Sequence, residues 1–228
     1  MIPWTLLDSA KVPGGGELRL WQRGDEFSIR LGRDELMNSR IHGSEEALAE
    51  LACARVVDRA QPHILIGGLG MGFTLRAALD ALGAEARVTV GELMAAVIAW
   101  NRGPLAGLSG EGLADPRVTL REGDIDEIIR AEAAAYDAIL LDVDNGPEGL
   151  TRAANDGLYA REGLGAAFRA LRSGGVLAVW SAGEDEKFTR RLRRAGFAVE
   201  VKRVRARGAA GGARHVIWIA SRPASAPG

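Results

Sequence analysis

The sequence predicts an α/β fold built on a mostly parallel sheet. Three observations carry that prediction. Strand-like runs alternate with helical patterns from residue 63 to residue 195. The run Ile64–Ile66 is continuously apolar, as a strand covered on both faces must be. Gly67, Gly68, Gly70 and Gly72 follow it at once and lead into the next helical pattern, a strand-to-helix turn where backbone bends sharply or meets a ligand closely.

Taken in order, residues 1–16 end in Pro13-Gly14-Gly15-Gly16 and read as a loop. Glu17–Trp21 and Glu26–Leu31 alternate apolar and polar residues around Arg23-Gly24-Asp25, the pattern of a β-hairpin. A polar patch follows, from Arg33 through Met37 and Arg40 to His42. Ser44 reads as an N-cap, with Glu45 and Glu46 in the first turn of a helix reaching about Val57. The alternation then begins. Strand Ile64–Gly67 leads to helix Phe73–Leu82, and strand Arg87–Val90 to helix Met94–Asn101. Strand Val118–Arg121 leads to a helix starting after Asp124. Strand Ala138–Leu141 ends in Asp142-Val143-Asp144-Asn145-Gly146-Pro147. Helix Leu164–Leu171 precedes strand Val176–Trp180, and helix Glu184–Ala195 stops at Gly196. Ala198–Val204 and His215–Ala220 are strands joined by RARGAAGGAR, too glycine-rich for a crossover helix, so they should pair antiparallel. The expected organisation is residues 1–60 on the substrate side, an α/β domain over 61–221, and a small-residue tail over 222–228.

The bulk numbers exclude several classes. With 47% hydrophobic residues and 26% charged, the chain suits a soluble globular protein. A net charge of −1 offers no field for nucleic acid or acidic membrane, so neither is an expected partner. The arginines and glycines of 203–214 lack the aromatic interleaving of an RNA-binding segment. No apolar run approaches the ~20 residues of a membrane span. The first residues lack the basic and long apolar regions of a signal peptide. Cys53 is the one cysteine, which excludes intrachain disulfides and cysteine metal clusters. No three ligands have metal spacing, and a cytoplasmic setting is expected.

A strand, glycine loop and helix N-terminus suit a nucleotide-like ligand. A dinucleotide fingerprint from Gly68 would need glycine where Phe73 stands, and a P-loop would need a lysine that is not nearby. What remains is G-x-G-x-G over Gly68–Gly72, with Glu92 closing the next strand. A carboxylate there can bridge ribose hydroxyls. Asp124 fits a D-x-x-E capping box with Glu127. Asp142, at the end of a strand in an open α/β sheet, faces a ligand crevice.

In order and spacing, IGGLGMGFTLR (66–76), GELMAAVI (91–98), DPRVTLREGD (115–124), YDAILLDVDNGP (136–147) and LY…L…LRSGGVLAVW (158–180) resemble the class I S-adenosylmethionine-dependent methyltransferase fold. Within it they are similar to the spermidine synthase (aminopropyltransferase) branch, as is ELMNSRIHGSEEALAEL after the hairpin. The resemblance implies a Rossmann-like sheet of seven strands with a C-terminal antiparallel hairpin, and a homodimer. It implies cofactor contacts at Gly68, Gly70, Met71, Gly72, Glu92, Leu93, Asp124, Ile125 and Asp142. Catalytic candidates are Asp142, Asp144 and Asn145. Arg40, His42, Glu45 and Tyr159 are candidates for binding a small-molecule acceptor.

Two departures shape the expected function. The family's glycine loop carries an aspartate where Met71 stands, and its second strand-four aspartate aligns with Asn145. An amide is not a base near neutral pH. The expected activity is therefore methyl transfer from S-adenosylmethionine to an amine or other nitrogen acceptor. The alternatives are aminopropyl transfer from decarboxylated S-adenosylmethionine, with Asp144 as a shifted base, and a non-catalytic nucleoside-binding or interaction protein. Trp180 reads as core. His63 and His215 read as structural residues at strand starts, away from the crevice.

Overall fold

The computed structural model describes residues 2–13, 15–143 and 157–224. Two sheets form. The first is an antiparallel meander of β1 (Thr5–Lys11), β2 (Glu17–Arg23), β3 (Glu26–Leu31) and β4 (Asp34–Asn38). The expected hairpin is its centre, with Gly24 in the left-handed region at the turn (φ 57°). The flanking strands differ from expectation. Thr5–Lys11 pairs along β2 although nearly every residue is exposed, so it has no alternating apolar signal. Asp34–Asn38 pairs with β3 through backbone that its polar side chains conceal.

The second sheet has seven strands. They are β5 (His63–Gly67), β6 (Arg87–Glu92), β7 (Val118–Glu122), β8 (Tyr136–Leu141), β9 (Leu171–Ser181), β10 (Ala198–Arg205) and β11 (Arg214–Ser221), in the order β10-β11-β9-β8-β5-β6-β7. β5 through β9 pair parallel, and β11 pairs antiparallel to both β9 and β10. Strand order reverses between β5 and β8, the position where open α/β sheets bind ligands at their carboxyl ends.

Helices cover both faces: α1 (Gly43–Cys53), α2 (Phe73–Ala81) and α3 (Ala95–Arg102) on one, α4 (Ile125–Arg130), α5 (Arg161–Ala170) and α6 (Glu186–Arg194) on the other. The strand pleat divides the core accordingly. Ile64, Ile66, Ala138, Leu140, Ala178 and Ile217 point toward α1–α3, while Leu65, Ile139, Leu141, Val179 and Trp218 point toward α4–α6. The N-terminal meander adds Leu18, Leu20, Phe27 and Ile29 to the first core.

α1 packs along α2 and over β8 and β9, so its first turn reaches the carboxyl edge of the main sheet. Its start departs from expectation. The helix begins at Gly43, and Ser44 caps nothing. Gly43 N–H donates to Ala206 O (2.8 Å), and a Cβ on Gly43 would collide with the backbone of Arg207 and Gly208. The loop after β10 therefore pins the start of α1, and only glycine permits the approach. Among the described residues no helix is long and apolar enough to cross a membrane.

Candidate active site

The glycine loop turns through three left-handed positions, Gly68 (φ 89°), Gly70 (φ 52°) and Gly72 (φ 82°). Two of them also lack room for a side chain. A Cβ on Gly68 would strike Asp142 O, and one on Gly72 would lie 2.5 Å from Ser109 Cβ. Gly70 differs, because its nearest neighbours are the Sδ and Cε of Met37 from β4. The N-terminal sheet thus lays a flexible thioether against the loop.

Glu92 ends β6 and holds this loop in place. Its carboxylate accepts from Leu69 N (2.9 Å) and Met94 N (2.8 Å), with the Gly70 and Leu93 backbone N–H groups also acting on it. Burial nonetheless dominates and raises its pKa. Leu93 therefore contributes through its backbone, as a cofactor-loop residue can. Asp124 caps α4 by accepting from Asp126 N (2.9 Å), not from Glu127 N as a full capping box requires. Beside it Ile125 packs over Gly67 and Gly91, an apolar wall between the ends of β5 and β6. Gly68, Gly70, Glu92, Leu93, Asp124, Ile125 and Asp142 thus converge on one edge.

Met71 does not join them. The left-handed residues on either side turn its side chain inward, and it is 2% exposed in the core on the α1–α3 face. Its apolar character fits packing, and the loop contributes backbone at this position.

The acidic end of β8 is where the structure adds most. Thr74 Oγ1, in the first turn of α2, donates to Asp142 Oδ2 (2.6 Å). Burial raises the Asp142 pKa against this bond, although the residue as a whole stays half-exposed at the crevice. The carboxyl is packed more closely than the residue average, and the upward direction follows from that packing. Glu45, from α1, stands close enough for its charge and that of Asp142 to act on each other. Burial first, then Asp142, pushes Glu45 up to about 7. The other charge acting on Glu45 is Glu46, also negative.

Behind Glu45 lie two polar side chains whose placement the sequence did not reveal. Ser44 Oγ donates to Glu45 Oε2 (2.7 Å), and His215 Nδ1 lies 2.9 Å from the same Oγ. His215 also meets Trp180 edge-on at 4.8 Å. The expectation that His215 lies away from the crevice is corrected here. β11 runs antiparallel, so its start sits at the carboxyl edge, with Val216 opposite Ser181. The last strand's direction was the signal that places it there. His63 is structural as expected, bonded to Ala135 O and Thr89 Oγ1 at the opposite edge. Trp180 is only half-buried, and its indole N–H has no acceptor among the described residues.

The remaining candidates divide. His42 stacks on Phe73 (4.2 Å) and brings Nδ1 to 3.1 Å from Glu46 Oε1, a close contact without hydrogen-bond alignment. Arg76 pairs with the same Glu46. Arg40 turns away, its Nε 3.6 Å from Glu26 Oε2 on the N-terminal sheet. Tyr159 packs edge-on against Phe188 in the core on the α4–α6 face, apart from Glu45. Asp144 and Asn145 lie outside the described residues. Among the described residues no group of three metal-ligating side chains forms.

No protein-family profile and no curated protein sequence matches the chain. Solved structures do. Spermidine synthase from Thermotoga maritima superposes with a TM-score of 0.74 at 20% identity, over 96% of this chain and 74% of that one. A spermidine synthase in complex with the transition-state analogue AdoDATO gives 0.73 at 20% identity, over 96% and 73%. The chain has the spermidine synthase fold. A probable spermidine synthase from Corynebacterium glutamicum is also similar, with a TM-score of 0.63 at 18% identity, over 95% of this chain and 79% of that one. The seven-stranded sheet, its antiparallel C-terminal hairpin and the small N-terminal sheet all belong to that fold.

Proposed function

We propose that the protein is an alkyl transferase that uses an adenosyl sulfonium and an amine acceptor, with decarboxylated S-adenosylmethionine as the donor. One observation carries the choice of donor: the Glu45–Asp142 carboxyl pair, whose members face each other's charge with no cationic side chain among the described residues acting to lower either pKa. A donor tail bearing only an ammonium is attracted to that pair. A tail that also bears a carboxylate adds a third negative group at the same place.

The nucleoside end fits as well. Glu92 closes β6 beside the glycine loop on the side a ribose would occupy, Gly70 offers backbone without a side chain, and the Ile125 wall suits an adenine face. The sulfonium supplies an alkyl carbon already activated for displacement. The chain's own work is then alignment, water exclusion and proton handling. Glu45, with a pKa about 7, is matched to take a proton from an acceptor ammonium near neutral pH. This gives the site a carboxyl base that does not depend on Asn145. Asp142, held by Thr74, orients the cationic group beside it.

Methyl transfer from S-adenosylmethionine is the second reading. Asn145, standing where the family carries an aspartate, favours it. Mass spectrometry of reactions with each donor and a small diamine separates the two. An aminopropylated product supports the proposal. A methylated product replaces it, and absence of any adenosyl ligand binding returns the non-catalytic reading.

A further inference from the structure

We propose that Glu45, Ser44 and His215 form a proton path leading from the acceptor amine toward the edge of the sheet. The path rests on the amine-alkylation reading for its purpose, but its existence rests on geometry. Two neighbouring side chains of α1 and one from β11, distant in sequence, form an unbroken chain: Glu45 Oε2 to Ser44 Oγ at 2.7 Å, and Ser44 Oγ to His215 Nδ1 at 2.9 Å. Ser44 is fully buried, so its hydroxyl has these neighbours in place of water. A hydroxyl can donate one bond while accepting another, which makes it a competent middle member.

The placement of these groups is held from outside the helix. A serine in the first turn of a helix ordinarily serves the backbone there. Ser44 instead points along the sheet edge, because Gly43 is fixed against the Ala206–Gly208 backbone and brings α1 to the start of β11. The Gly43 contact and the Ser44–His215 bond are adjacent on α1, the first to the loop after β10 and the second to β11.

The surrounding charges differ at the two ends of the path and favour the proton on Glu45 at rest. Glu45 faces Asp142 from the end of β8, Glu46 on its own helix and the Thr74 hydroxyl from α2. His215 faces Ser44 from α1 and Trp180 from β9, while Arg214 beside it pairs across the strands with Arg205 of β10. Burial lowers the proton affinity of His215, so it begins neutral. When Glu45 has taken a proton, its O–H donates to Ser44 Oγ and the serine hydrogen passes to His215 Nδ1. One proton leaves Glu45, one arrives on the imidazole, and Ser44 is unchanged. The half-exposed His215 then returns a proton to water.

The test is an NMR titration of the His215 ring in the full-length protein, assigned with His215→Gln, beside pH–rate profiles. In wild type the His215 ring signals should show a second inflection near pH 7, where Glu45 titrates, and Glu45→Gln should remove it. Ser44→Ala should remove it too, because the hydroxyl that links the two groups is gone. Ser44→Thr keeps a hydroxyl and should keep the coupling, which guards against misreading a misfolded alanine variant. Identical His215 titrations in wild type, Glu45→Gln and Ser44→Ala overturn the path. Turnover should drop about tenfold in Ser44→Ala with KM nearly unchanged, and imidazole should restore His215→Gly. Coupled titrations without amine alkylation leave the path standing and remove the proposed function. Alkylation with uncoupled titrations does the reverse.

Discussion

Glu45 and Asp142 meet at the carboxyl edge of the sheet, one from the first turn of α1 and the other from the end of β8. Each makes the other harder to ionise. Neither position alone is unusual. Their meeting depends on α1 being pinned at Gly43 and on Thr74 reaching across from α2.

The first consequence concerns stability against pH. The folded protein holds the Glu45 proton up to about 7, whereas an unfolded glutamate releases it near 4.5. Through that window the folded chain binds more protons than the unfolded one, so stability falls as pH rises from about 4.5 to about 7 and then levels. The loss is at most about 3 kcal/mol, and less after screening at the half-open side. Thermal unfolding between pH 5 and pH 8 should show Glu45→Gln with a flatter dependence and a higher Tm than wild type at pH 8. Parallel curves for the two proteins would contradict this.

Thr74→Val removes the hydroxyl that donates to Asp142 while nearly keeping its volume. Stability should fall by about 1–2 kcal/mol. The alkaline shift of Asp142 should deepen, and the acid limb of the pH–rate profile should move upward. Urea unfolding and a pH–rate series measure the two effects separately.

Much of this fold was legible from the chain, and the reasons are specific. Ile64–Ile66 and Ala138–Leu141 are apolar because both faces are covered, and Gly68, Gly70 and Gly72 are required by positive φ. These are local demands, visible residue by residue. β1 was hidden because an exposed edge strand buries no face and leaves no alternation. The acidic pair was only half visible. Asp142 followed from its place after a strand, but Glu45 acquires its partner through long-range packing of α1. His215 and Ser44 lie far apart in the sequence, and only the antiparallel direction of β11 brings them together. Met71 carried too much weight in the sequence, because a residue between two left-handed glycines can face the core instead of the ligand.

Glu92→Gln should loosen the glycine loop. The amide presents N–H groups to backbone N–H donors that now bind a carboxylate. A loss of about 2 kcal/mol in unfolding free energy is expected. Affinity for 5′-methylthioadenosine, which probes the nucleoside end without an alkyl tail, should fall at least about tenfold. Calorimetry reads the second effect, and unchanged affinity would remove Glu92 from the ribose site.

Met71→Asp places a carboxylate in the apolar core rather than beside a donor tail. It should destabilise the fold by several kcal/mol or prevent folding. A soluble, stable variant with improved binding of the decarboxylated donor would show instead that this side chain turns toward the ligand.

The central claim is that the Glu45–Asp142 pair selects a donor tail with an ammonium and no carboxylate. Calorimetric Kd values for decarboxylated and full S-adenosylmethionine at pH 8, in wild type and Glu45→Gln, test it most directly. The account predicts at least about tenfold tighter binding of the decarboxylated donor by wild type, a preference of about 1.4 kcal/mol that shrinks in the variant. Equal affinities, or tighter binding of full S-adenosylmethionine by the wild-type protein, would contradict it.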